Sequence, residues 1–488
     1  MTSIKQQGAK SLFWSFVETF GIQAIQFIIG IVLARLLVPS DYGMVGVLAV
    51  FIGVASVLVD SGFKTSIIRA EEITDIDCST IFYFNMGVSI IVGAGLFFFA
   101  AQIGSLFGKP QVAQVARLYA IIPIINGLGL VQSALLIKKL EFKAIAIATT
   151  ISSLVSGLVA IYLAYNEYSY LSLVYRMILM RTLTSAFLWI YSSWRPKLFF
   201  SFDSFKRHFS FGSRLLATGI IDQVFDNIYS LIFGRFYSFG DLGFYTRGKS
   251  YADMASKSLS ISIQKVSTPL MAASGKSPEA RTRAYGKLLY YTLLLIFPLM
   301  LFLLVIAEPL ILVMLGEKWR GAIIFLQIML IADLFYPIGN ANSSLINVLG
   351  RSDMTLKNTM INRSIQTIVL LSTVWFGVIW ISWGIVMQRI LGIMVSYYLV
   401  IRCSDLILKD LLQIFKIPLA VSVVPMITSF LVLLSINNFV TYPLQLIAVF
   451  IVWMVSLLFM LIITKVIKTE EFRISNLVKT ITKIRSAI

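Results

Sequence analysis

Apolar runs of about twenty residues recur along nearly the whole chain, each long enough to cross a bilayer as a helix. That recurrence constrains the fold more than any single motif. Hydrophobic residues make up 58% of the 488, charged residues only 13%, and mean hydropathy is +0.87. A soluble domain of this size carries about twice that charge. The alternating pattern of a membrane barrel is absent, so the fold class is all-α and polytopic. The runs predict about fourteen transmembrane helices joined by short loops. Met1–Lys10 is short and basic, and the run behind it ends at Arg35 without a small-residue cleavage site, so it does not read as a cleaved leader.

Charge then sorts the loops. The net charge of +18 would suggest nucleic acid in a soluble protein. Here Lys and Arg collect in alternate loops, as in Lys138/Lys139/Lys143 and Lys276/Arg281/Arg283/Lys287. The opposite set holds little beyond Lys109, Lys318 and Arg320. Membrane proteins keep such loops cytoplasmic, which places both termini inside and argues against nucleic acid as a partner. Cys78 and Cys403 are too few for a disulfide framework, and the single histidine, His208, cannot build a His-based metal site. No cofactor and no catalytic centre is expected.

The stretch Ile31–Gly43, IVLARLLVPSDYG, joins two apolar helices, and Leu231–Gly243, LIFGRFYSFGDLG, repeats it. Arg35, Asp41 and Gly43 return as Arg235, Asp241 and Gly243, at a constant offset of 200 positions. Phe107-Gly108-Lys109 is echoed by Leu315-Gly316-Glu317, and Pro123 by Pro337. An even number of helices separates the copies, so the repeat is parallel. The expected organisation is a six-helix lobe over 1–193, a linker helix at the interface over 194–209 and a second six-helix lobe over 210–402. Two accessory helices over 403–464 and a basic tail over 465–488 follow. In the linker, His208 reads as part of a polar face beside Lys206 and Arg207. The tail suits anionic lipid.

Charged side chains at bilayer depth mark pathways, because each costs several kcal/mol unless it faces a cavity or a partner. The first lobe has Glu18, Arg117, Arg176 and Arg181; the second has Asp222 and Asp226 on one helix and Arg247, Lys249, Asp253 and Lys257 on the next. At about 1.5 Å per residue, Lys257 lies about 20 Å and Arg181 about 15 Å into their helices, near the midplane. Lys257 and Arg181 are expected to line a shared, net positive cavity that attracts an anion such as a phosphate or acidic sugar. The alternative for Lys249–Asp253–Lys257 is a self-neutralising stripe of i,i+4 ion pairs. For Arg176 and Arg181 it is hydrogen bonding to a neighbouring helix.

The segments ARLLVPSDYG (Ala34–Gly43) and LVDSGFKTSIIR (Leu58–Arg69), within the two-lobe plan, resemble the bacterial polysaccharide flippases of the multidrug/oligosaccharidyl-lipid/polysaccharide exporter superfamily. The resemblance implies a transporter of the bacterial inner membrane. It would flip undecaprenyl-pyrophosphate-linked oligosaccharide repeat units to the periplasmic leaflet by alternating access, for O-antigen, capsule or exopolysaccharide export. Other polysaccharide-assembly membrane proteins would be partners, with the surrounding lipid. The family supplies no catalytic motif, so site residues rest on charge and depth. Arg176, Arg181, Arg247, Lys249 and Lys257 are expected to bind the anionic substrate. Glu18, Asp222, Asp226 and Asp253 are candidates for a coupling ion. A cation-coupled drug exporter would want an acidic cavity instead. A polymerase or ligase acting on the same lipid-linked sugars would want a large external loop bearing catalytic groups.

Overall fold

The structure, a computed structural model, describes residues 21–273, 278–404, 408–436 and 439–464. Glu18 and the basic tail lie outside the described residues. Secondary structure among the described residues is helical, and ten helical stretches are long and apolar enough to cross a membrane. Three further helices are long but too polar to qualify by hydropathy: α11 (Phe202–Phe236), α12 (Phe239–Ala273) and α17 (Ser352–Thr373). The chain is a multi-pass membrane protein. Its contacts group it into two compact units, one up to Gly243 and one from Phe244 onward.

In the first unit α1 covers Gly21–Leu36 among the described residues. Pro39 cannot continue a helix that needs its N–H, so it opens a new one, α2 (Pro39–Gly46), which bends into α3 (Ala49–Asp60). The Asp41 carboxylate accepts from Val38 N–H at 3.2 Å and from the Ser169 hydroxyl at 2.6 Å, which satisfies an orphan donor at the helix start. The repeat does the same with other atoms. Ser238 Oγ accepts from Asp241 N–H at 3.0 Å and donates to the Asp241 carboxylate at 2.6 Å.

The two helix starts also touch each other reciprocally. A Cβ at Gly43 would run into the carbonyl oxygen of Phe239, and a Cβ at Gly243 into the carbonyl oxygen of Pro39. Positions 39 and 43 correspond to 239 and 243 at the repeat offset, so the two contacts are images of one another about a local two-fold axis. Glycine is required at both because backbone meets backbone there.

The rest of this unit comprises α4 (Phe63–Arg69), α5 (Asp75–Phe98), α6 (Ala100–Leu106), α7 (Pro110–Tyr119), α8 (Ile121–Lys138), α9 (Phe142–Tyr165), α10 (Tyr170–Tyr191) and α11. The expected linker helix over 194–209 is not a separate element. Residues 194–201 are non-helical, and α11 starts at Phe202 and runs unbroken for 35 residues. Pro196 holds Arg195 out of the helical region, and Ser201 Oγ accepts from Ser204 N–H at 3.3 Å as the cap.

This strap is tied to α5. Ser79 and Thr80 hydroxyls accept from the N–H groups of Lys197 and Ser201 at 3.1 and 3.0 Å, and Lys197 pairs with Asp75 at 2.6 Å. His208 is buried rather than on a polar face. Its Nδ1 meets Ser66 Oγ at 2.6 Å, and its Nε2 lies 3.7 Å from Asp77, which also accepts from Ser204 Oγ at 2.5 Å. Burial pushes the imidazole below its ordinary range. Phe205 and Phe209, stacked at 5.1 Å, pack on Phe63 and Phe84 and draw that face of the helix inward.

The second unit comprises most of α12 with α13 (Pro278–Val305), α14 (Ala307–Leu315), α15 (Ala322–Asp333), α16 (Tyr336–Val348), α17, α18 (Val378–Cys403), α19 (Leu408–Ile436) and α20 (Tyr442–Ile463). Met271, Tyr285, Leu289, Leu293, Phe297 and Ile338 form part of its largest described core.

Candidate functional site: a charged cluster at a broken helix

The break between α15 and α16 prepares the site. Pro337 has no N–H to give the carbonyl of Asp333 four residues earlier, and its ring crowds that carbonyl. The freed Asp333 carbonyl is taken by the Ser256 hydroxyl of α12 at 2.8 Å. That bond fixes α12 beside the kink, with Asp333 only 4% exposed.

Around this bond four charges and a ring assemble within the second unit. Lys257 and Asp253, one turn apart on α12, pair at 2.7 Å, and each side chain is 29% exposed. This is the i,i+4 ion pair that their spacing allowed. The Asp333 carboxyl group is within hydrogen-bonding reach of Asp253 and within electrostatic reach of Lys257 and Arg389 of α18. The Tyr336 ring serves both cations, with Lys257 Nζ at 5.6 Å and the Arg389 guanidinium at 5.7 Å from its centroid. Arg389 Nε is buried without a hydrogen-bond partner. With both carboxyl groups ionised, two carboxylates against two cations leave the cluster formally neutral. Lys257 is therefore a masked cation rather than an open one.

The other expected residues are placed separately. Lys249, half-buried on α12, sits over the Tyr245 ring at 5.9 Å, and Arg247 is half-buried on the same helix. Arg176 is half-buried and Arg181 exposed on α10, in the first unit. Asp222 is half-buried and Asp226 exposed on α11, also in the first unit. Asp253 and Lys257, both expected, form a salt bridge with one another. Asp333, Tyr336 and Arg389 were not expected. The rule that an ionisable group inside an apolar helix marks a site applies equally to AIIFLQIMLIAD and to the helix carrying Arg389.

The first copy of the repeat has none of this chemistry. At the offset of 200 positions, Arg247, Lys249, Asp253 and Lys257 correspond to Val47, Ala49, Gly53 and Val57. Counting back from the matching prolines, Asp333 corresponds to Tyr119. The first compact unit has an apolar cleft of about 540 Å³ lined by residues including Val50, Phe51, Leu58, Gly95 and Val224. A helix pair that folds with glycine, valine and tyrosine at these positions does not need charges there for folding. Among the described residues, no group of three or more His, Cys, Asp and Glu side chains is arranged to hold a metal ion.

Residues 32–324 match the family model described as polysaccharide biosynthesis protein. The chain belongs to that family. Among its relatives, the lipopolysaccharide biosynthesis protein WzxC of Escherichia coli K12 is 25% identical over 404 residues, 82% of each chain. The teichuronic acid biosynthesis protein TuaB of Bacillus subtilis is 22% identical over 387 residues, 77% of this chain and 80% of TuaB. The fold matches that of the lipid II flippase MurJ in its inward closed conformation. The TM-score is 0.78 at 13% identity, covering 93% of this chain and 98% of MurJ.

Proposed function

We propose that this family member flips undecaprenyl-pyrophosphate-linked oligosaccharide repeat units from the cytoplasmic to the periplasmic leaflet of the bacterial inner membrane. It supplies O-antigen, capsule or exopolysaccharide assembly and works as a transporter rather than an enzyme. The observation that carries this reading is the asymmetry of the repeat: at matched positions the second copy has Arg247, Lys249, Asp253 and Lys257, and the first has apolar residues or glycine. Ionisable groups that the fold does not require, held at membrane depth, serve a charged cargo or its coupling ion. Kinship with two proteins of cell-surface polysaccharide biosynthesis and the fold of a lipid II flippase support the choice of cargo.

In this mechanism the polyprenyl tail stays in lipid while the pyrophosphate and sugars cross the membrane by alternating access. Arg247, Lys249 and Lys257 in the second unit contact the anionic head group, and Arg176 and Arg181 in the first make contacts of the same kind. Asp222, Asp226 and Asp253 are the acidic groups available for coupling. Other membrane proteins of polysaccharide assembly receive the product. Deleting the gene tests the reading. A lipid-linked repeat unit should accumulate, and loss of surface polysaccharide without any such intermediate would contradict it.

Orientation follows from the loops, with the basic set and both termini cytoplasmic. An impermeant thiol reagent added outside spheroplasts should label Lys318→Cys and spare Lys197→Cys. Both side chains are exposed, so the reverse pattern would invert the topology.

A further inference from the structure

The cluster poses a problem that its charges can solve. An anion seeking Lys257 must displace Asp253, which holds it at 2.7 Å. A displaced Asp253 would lie beside Asp333, already within hydrogen-bonding reach and almost wholly buried, with Arg389 as the remaining cation. Two carboxylates in a poorly solvated site repel strongly unless they share a proton. We propose that a proton taken up by the Asp253–Asp333 pair is what releases Lys257 to an anionic phosphate group, so that head-group binding in the second unit is linked to protonation. The inference rests on the flippase reading and assigns these residues a role within it.

The exchange balances. With both carboxyl groups ionised, Lys257 and Arg389 cancel them. On binding, the Lys257–Asp253 ion pair breaks and Lys257 donates instead to a phosphate oxygen. One proton from water joins the two carboxyl groups as an O–H···O bond. The cluster then has a charge of +1 to set against the incoming anion, and release of the anion returns the proton. Tyr336 and Arg389 are positioning residues. The ring, at 5.6 and 5.7 Å from the two cations, keeps Lys257 beside the cluster in both states, and Arg389 stays as the standing counter-charge to Asp333.

The groups that face the pair come from three elements. They are Tyr245 and Lys257 of α12, Tyr336 of α16 and Arg389 of α18. Neutralising either carboxylate by mutation gives the cluster permanently the charge that the proton supplies. The two variants should therefore behave alike.

The test is binding of radiolabelled sulfate to the full-length protein in lipid nanodiscs, at constant ionic strength, from mildly acidic to mildly alkaline pH. Sulfate keeps one charge state over that range, so any pH dependence belongs to the protein. The wild type should bind more tightly as pH falls, approaching tenfold per pH unit where the shared proton titrates. Asp253→Asn and Asp333→Asn should each bind at the tight limit with a flat profile, and either alone suffices if the other does not fold. The neutral pair Lys257→Gln/Asp253→Asn should lose binding. A flat wild-type profile, an unchanged slope in the Asn variants, binding that survives in the neutral pair, or no sulfate binding at all would each overturn the inference. Failure of the flippase reading shows separately, as absence of a lipid-linked intermediate in the deletion strain.

Discussion

Replacing Arg389 with Leu should leave little protein in the membrane, and adding Asp333→Asn to the same chain should bring it back. Arg389 faces a carboxyl group that is 4% exposed, from a guanidinium whose Nε is itself buried. Removing it leaves two carboxylates with Lys257 as the cation beside them. Leaving a buried carboxyl group without the cation that faces it costs about 1–3 kcal/mol or more, a large share of the stability of an ordinary domain. Asn at 333 keeps the shape and removes the charge, so the penalty disappears with it. Immunoblots of the membrane fraction and thermal unfolding in detergent both read the effect. A double variant no more abundant than Arg389→Leu would show that the two groups are not energetically paired.

Alanine at Gly43 or at Gly243 should be nearly as damaging, and by similar amounts at the two sites. Each added methyl would enter the carbonyl of the other copy's helix start, Phe239 in one case and Pro39 in the other. Backbone cannot swing aside as a long side chain can, so a cost of about 3 kcal/mol is expected at either position. Gly87, on α5 with nothing within 4 Å of its would-be Cβ, is the control. Gly87→Ala should be neutral or stabilise by about 1 kcal/mol through helix propensity. Thermal midpoints of the three variants decide the matter. Tolerance at one of the paired glycines and not the other would break the local two-fold relation.

Much of this is legible in the amino-acid sequence. The repeat could be read from Arg35, Asp41 and Gly43, and the structure adds why the glycine recurs: it is where the copies touch. Asp253 and Lys257 were legible as intramembrane charges, and their pairing as one outcome of i,i+4 spacing. Asp333, Tyr336 and Arg389 come from three other helices. No periodicity within α12 could point to them, although the same depth argument, applied to every helix, would have flagged Asp333 and Arg389. The sequence does not distinguish an interfacial linker from a packed one, because Phe202, Phe205 and Phe209 share one helical face whether that face meets lipid or protein. What decides is that α4 and α5 offer Phe63 and Phe84 as partners, together with Ser66 and Asp77 for His208.

The central claim is that Lys257 and its cluster move an anionic lipid head group across the membrane. Its most direct test is transfer of an undecaprenyl-pyrophosphate-linked repeat unit between leaflets of vesicles containing the purified protein, read by a membrane-impermeant glycosidase added outside. Wild-type vesicles should make the inner-leaflet pool available to the glycosidase. Vesicles with equal amounts of the neutral pair Lys257→Gln/Asp253→Asn, which keeps side-chain size and leaves no unpaired charge, should protect it as protein-free vesicles do. Equal transfer by the wild type and the neutral pair would contradict the account.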